Sequence, residues 1–266
     1  MNIDDIIQGR HGDCFILASI ISILHTVGEN IINKIIFDAE QFYYFNFWKN
    51  NKKYSIKLDK AEIKTLSPKS KDWVKKIEYG YTYVFYKNNI NEIKEKGGIS
   101  QKVIYNLLGL KPTIFINRLF DDYNTKCFNE IINNFDSSLE WENNFLTNEI
   151  KIWINMIWNN LKKITNFNYN FKNKIFNLKY PSVLGTSSNN INGIVSEHSY
   201  SIIGIMIDDY SKKYIQVFNS QRNIKSRETI FCDVKKKYLS NIKISRFSLW
   251  ALDECPLFVS DFTISL

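Results

Sequence analysis

The segment Gln8-Gly9-Arg10-His11-Gly12-Asp13-Cys14-Phe15-Ile16-Leu17-Ala18-Ser19-Ile20-Ile21-Ser22-Ile23-Leu24 joins a polar, glycine-bearing loop to a run that is apolar on nearly every side. Small Ala18, Ser19 and Ser22 sit between the large side chains, the composition of a helix buried all round from Cys14 to about His25. Asp13 stands where an N-cap is expected, so Cys14 falls in the first helical turn. There the unpaired backbone N–H groups favour the thiolate, the form in which a cysteine is a nucleophile. Gln8, six positions before Cys14, carries an amide that can reach the space above the thiol and, with the Cys14 N–H, form an oxyanion hole. On their own the two residues read as a small core cysteine and a solvated loop glutamine, so the assignment turns on a partner base.

Of the three histidines, His11 lies in the loop and His25 on the same helix, about 16 Å from Cys14 at 1.5 Å per residue. His198 remains, at the start of an apolar strand through Tyr200, Ile202, Ile203 and Met206. If Asp208-Asp209 is a two-residue turn, His198 pairs directly with Asn219 on the returning strand, whose carboxamide accepts from the imidazole. A loop running through Lys212 makes the contact diagonal instead. An asparagine in this place fixes the tautomer of the base without adding charge. Without a nucleophile, the same two residues read as a polar pair on a sheet rim.

The rest of the chain predicts an α+β protein. A hairpin is expected over 41–58 around Asn50-Asn51, a helix over 70–84 in which Trp73, Ile77, Tyr81 and Val84 recur at helical spacing with Lys75, Lys76 and Glu78 elsewhere around the wheel, and a short helix over 100–108 after Gly97-Gly98. The middle, 122–161, reads as helical, with Phe128, Ile131 and Ile132 on one face and Ile150, Ile152, Trp153, Met156, Ile157 and Leu161 on another. Segments 180–187, 198–207, 213–219 and 242–250 read as strands of an antiparallel sheet. This divides the chain into a helical subdomain, 1–110, and a part from 111 to 266 in which a helical insert precedes a β-rich subdomain.

The 266 residues carry a formal charge of +8, from lysines in short groups such as Lys235-Lys236-Lys237 rather than in one tract. That pattern is a solvated surface; nucleic-acid binding is the alternative, and no nucleic-acid motif accompanies it. Cys14, Cys127, Cys232 and Cys255 have neither CxxC spacing nor a disulfide framework, which fits a reducing compartment. No secretory signal or membrane span is legible, and the chain reads as a soluble monomer acting on a protein substrate without a cofactor or structural metal.

Together the residues resemble a family. Gln8 to Leu24 is similar to the active-site helix of calpain-type, papain-like cysteine proteases, in which a glutamine six before the cysteine precedes Gly-Asp-Cys. Glu197-His198-Ser199-Tyr200-Ser201 resembles the family's His-Ala-Tyr-Ser segment, and Val217-Phe218-Asn219-Ser220 its Arg-Asn-Pro-Trp segment. Tyr44 to Trp48, Trp73, Glu78, Gly97-Gly98, Leu249-Trp250-Ala251 and Phe258 to Phe262 look like further landmarks in family order. The likeness is weakest between 115 and 180. It implies a papain-like fold with a cleft between the subdomains, Cys14 as nucleophile, His198 as base, Asn219 as orienter and Gln8 in the oxyanion hole. Gly97 and Gly98 would then lie on the substrate-binding side, with Glu197 at the pocket.

The chain departs from the family at Glu197, where a glycine is usual, at Phe15, usually Trp, and at Ser220-Gln221, usually Pro-Trp. Calcium activation is not expected. Asp5 alone survives of one calcium site, and Lys225 and Ser245 to Ser248 stand near acids of the other. The expectation is a calcium-independent endopeptidase, with a bacterial effector or toxin acting in a foreign cytosol suggested by the absence of a propeptide or regulatory domain and by the Lys-, Asn- and Ile-rich composition. A glutamine deamidase or transglutaminase on the same triad, and an inactive core that only binds partners, are the alternatives.

Overall fold

The apolar run after Cys14 forms the helix α1 (Cys14–Val27), and every side chain from Phe15 to Leu24 is buried. The computed structural model describes residues 1–9, 12–63, 67–89, 93, 97–116, 150–187, 194–221, 247–252, 255 and 259–265. Expectations for His11, for 122–149 with Phe128, Ile131 and Ile132, for Cys127, Lys225 and Cys232, and for most of 242–250 lie outside the described residues.

Small residues on α1 let other elements approach closely. Ser22 Oγ donates to Ser182 O at 2.9 Å and accepts from Ser182 N–H at 2.7 Å; Ser201 Oγ donates to Ala18 O at 2.7 Å, and Ser19 Oγ lies 3.1 Å from Ser100 O. α1 is therefore fastened by its polar gaps to the segments that carry Ser100, Ser182 and Ser201.

On one side follow α2 (Glu29–Ile35), β1 (Ile36–Asp38), β2 (Phe42–Lys49), β3 (Lys52–Asp59), α3 (Asp72–Phe85) and α4 (Ser100–Leu108). The expected hairpin turns at Asn50 and Asn51, with φ of 53° and 56°, a left-handed pair that asparagine tolerates well. β1, β2 and β3 make an antiparallel three-stranded sheet. Phe45 and Phe47 of β2 and Ile77 and Tyr81 of α3 share a core with α1. Glu78, set apart from the apolar series in the sequence, is buried: with Val74, Tyr81 and Thr82 it occupies the inward stripe.

On the other side, β4 (Pro112–Ile116), α5 (Ile150–Lys163), β5 (Phe176–Thr186), β6 (Ser199–Ile207), β7 (Lys213–Phe218), β8 (Phe247–Ala251) and β9 (Val259–Ser265) follow in chain order. The strands form an antiparallel sheet in the order β4-β9-β5-β6-β7-β8. α5 buries Trp153, Ile157, Trp158 and Leu161 in this half, whereas Ile152, assigned inward from the sequence, is exposed; the i, i+4 series 153–157–161 sets the face, and position 152 falls 100° away. The chain is thus an α+β protein, with two antiparallel sheets among the described residues. Among the described residues, no helix is long and apolar enough to cross a membrane.

Candidate functional site

Cys14 begins α1, as its position after Asp13 predicts; it forms no disulfide, and the residue as a whole is half-buried. Asp13 does not cap the helix with its side chain; the carboxylate turns inward to Ser67, while its carbonyl accepts from the N–H groups of Ile16 and Leu17. The N–H and hydroxyl of Ser199 lie near enough to the Cys14 sulfur to favour its thiolate. The start of α1 therefore meets the start of β6, one residue after His198.

His198 is buried and held at both ends. Its N–H donates to Thr186 Oγ1 at 3.0 Å, its carbonyl accepts from the Thr186 N–H at 2.9 Å, and its ring meets Tyr200 edge-on at 4.9 Å. The imidazole Nε2 is 3.0 Å from Asn219 Oδ1. Since an amide oxygen only accepts, Nε2 carries the proton and Nδ1 is left as the basic nitrogen. The register reaches this contact by the longer of the two expected turns. β6 and β7 pair Ile207 with Lys213, and the Asp208 carboxylate gathers the loop by accepting from the N–H groups of Tyr210 and Lys212. An irregularity beyond Gly204 brings Ser201 opposite Phe218. One step further sets Asn219 against Tyr200, so His198 and Asn219 meet diagonally rather than face to face.

Gln8 is drawn to the same place from the N-terminal side. Its N–H donates to Ser220 O at 3.0 Å, and Ser220 Oγ donates to its Oε1 at 2.9 Å. The amide is thereby oriented with its NH2 end turned from Ser220. Ser220, which stands where the resembled family has proline, thus ties Gln8 to the chain directly after Asn219.

Gly97 and Gly98 lie against the same helix start. A Cβ on Gly98 would come within 2.4 Å of the Phe15 ring and 2.5 Å of the Tyr86 hydroxyl, so only glycine allows this approach. Glu197 is exposed and has φ of 50°, a left-handed backbone that explains why glycine suits this position. His25 turns away, its Nε2 3.1 Å from Ile203 O.

Burial pushes the Cys14 thiol up, and the Asp13 charge adds to this; hydrogen bonds from Ser199 and the Phe15 N–H act in the other direction. Burial likewise lowers His198 to about 4, against the stabilising contact with Asn219. Desolvation thus favours the neutral form of both groups. Ser67, Glu78, Ser199 and Ser220 were not assigned to the site from sequence; of these, Glu78 had a signal, the i, i+4 spacing from Val74 through Glu78 to Thr82.

Asp5, the one residue that survives from a calcium site of the resembled family, accepts instead from the Asn2 N–H at 2.9 Å and from Trp73 Nε1–H at 3.2 Å. No protein-family model matches this sequence, and no curated protein matches it.

Proposed function

We propose that the chain is a cysteine endopeptidase of papain-like architecture, calpain type, working through Cys14, His198, Asn219 and Gln8 without calcium. The observation that carries this reading is the hydrogen bond from His198 Nε2 to Asn219 Oδ1, made by a histidine whose neighbour Ser199 acts on the Cys14 thiol. It supports a base with one nitrogen oriented and the other left for the thiol proton. In the first half-reaction, Cys14 sulfur attacks the peptide carbonyl while His198 takes the thiol proton. The carbonyl oxygen becomes an oxyanion held by the Cys14 N–H and the Gln8 amide. His198 returns the proton to the departing amine, leaving a thioester. Water, deprotonated by His198, then attacks the thioester, and the thiol regains its proton as the carboxylic product leaves.

The test compares wild type and Cys14→Ala in a treated proteome by mass spectrometry of new N-termini. Termini that appear with wild type and vanish with the variant are expected. Glutamine converted to glutamate without new termini would replace hydrolysis of peptides by deamidation, and neither change would leave a binding role.

A further inference from the structure

The β5–β6 pairing ends with Gly185 opposite Ser199, and β5 also slips against β9 between Gly185 and Thr186. One step further, where the ladder would set Thr186 against His198, half of the regular exchange survives: the Thr186 N–H donates to His198 O at 2.9 Å. A side chain takes the other half, for the His198 N–H donates to Thr186 Oγ1 at 3.0 Å. Thr186 Oγ1 also lies 2.6 Å from Val195 O and 3.1 Å from His198 O. A hydroxyl has one proton to give, and His198 O already receives the Thr186 N–H, so the proton goes to the nearer Val195 O.

These bonds close the loop that carries the imidazole. Between the two residues that the hydroxyl joins, Glu197 has φ of 50° and its N–H donates to Ser187 O at 3.1 Å, so the chain turns sharply just before His198. Val195 is held at its other end too, its N–H donating to the Tyr200 hydroxyl at 3.0 Å, and the Tyr200 ring meets the His198 ring edge-on. Thr186, His198 and Tyr200 are all buried, so an unmade bond here is costly. The backbone behind the imidazole is thus fixed by one hydroxyl, while Asn219 sets the far end of the ring.

We propose that Thr186 is a positioning residue: its hydroxyl, by taking the His198 N–H and giving its own proton to Val195 O, fixes the His198 backbone so that Nε2 stays on Asn219 and Nδ1 stays the basic nitrogen. The hold on the ring stands on the hydrogen-bond geometry, whereas its effect on Cys14 rests on the proposed reading of His198 as the base. Valine has the shape of threonine but can neither receive the N–H nor serve Val195 O.

The test compares wild type with Thr186→Ser, which keeps the hydroxyl, and Thr186→Val, which keeps the shape. Long-range proton–nitrogen correlation spectra report the tautomer of each imidazole whether or not the site reacts, and His198→Ala identifies the His198 signals by their loss. Wild type and Thr186→Ser should carry the proton on Nε2, and the ring shifts of Thr186→Val should move toward a mixture of tautomers. Unchanged ring shifts in Thr186→Val overturn the positioning role. Alkylation of Cys14 by iodoacetamide at pH 7, followed by peptide mapping, reads the consequence. Thr186→Ser should stay within about threefold of wild type, while Thr186→Val falls about tenfold or more. Added to His198→Ala, Thr186→Val should change nothing further, because it acts through the ring. A wild-type rate in Thr186→Val, or a rate in the double variant below that of His198→Ala, overturns the role. Thr186→Ala takes the place of Thr186→Val if the latter does not fold; failure of both to fold assigns the hydroxyl to stability and overturns the proposal. If His198→Ala is alkylated as fast as wild type while the ring shifts still move in Thr186→Val, the base is overturned and the hold on the ring stands, which separates the two failures.

Discussion

His198 stays neutral far into the acid range because its imidazole is buried against Tyr200 and Thr186, with only the Asn219 carboxamide to favour its charged form. In the unfolded chain a histidine takes up its proton near pH 6.5. Between that value and about 4, the unfolded state binds a proton that the folded state refuses, so stability falls as pH falls through this window. The full effect is about 3 kcal/mol. Urea denaturation of wild type and His198→Ala from pH 7.5 to 4 should show the excess loss in wild type only; parallel curves would mean that the folded imidazole protonates normally. Cys14, His198 and Asn219 were legible because each is a chemically distinctive residue at a local landmark: a helix start, a strand start, a strand end. Ser67 and Ser199 were not, since a serine earns a role only from what the fold sets beside it. The burial of Glu78 was not read from the sequence, because a charged residue within an apolar stripe gives no such signal by type.

Helix α1 owes its place to three serine contacts made where a bulkier side chain would hold β5, β6 and α4 away. Ser22 is the most exacting, since its hydroxyl both donates to and accepts from the Ser182 backbone. Ser22→Ala keeps the helix propensity but leaves a buried N–H and carbonyl of β5 unsatisfied. It should cost about 1–3 kcal/mol, read as a lower urea midpoint with unchanged slope. At this scale the sequence resolved elements with strong periodicity or clear turn residues, such as α1, the Asn50-Asn51 hairpin and β6. It left β1 and β4 unassigned, for three or five residues carry too little pattern to separate a strand from a loop. The β6–β7 register was open for another reason: five residues from Asp208 to Lys212 form the connection, and the Asp208 side chain that closes it acts through backbone groups absent from any hydrophobic pattern.

Across the whole molecule, the two halves meet where α1 packs between the core built on β2 and α3 and the larger sheet. That arrangement carries Gln8 and Cys14 from one end of the chain to Ser220 and Ser199 near the other. The α+β class and the switch from helices to strands could be read from periodicity; the packing of the halves could not, because it depends on contacts between residues more than 150 positions apart, such as Ser22 with Ser182. Asp5, the acid that the resemblance sets at a calcium site, is engaged by Trp73 and Asn2, so the proposed activity should proceed unchanged with EGTA; loss of turnover that added calcium restores would refute this. The most direct measurement of the central claim is the rate of Cys14 alkylation by iodoacetamide from pH 5 to 9 in wild type and His198→Ala. If His198 takes the thiol proton, the wild-type rate stays near a plateau above the acid step of the imidazole, while the variant's rate climbs about tenfold per pH unit below the raised thiol pKa. A wild-type rate that climbs in step with the variant's would show that sulfur and imidazole do not work together.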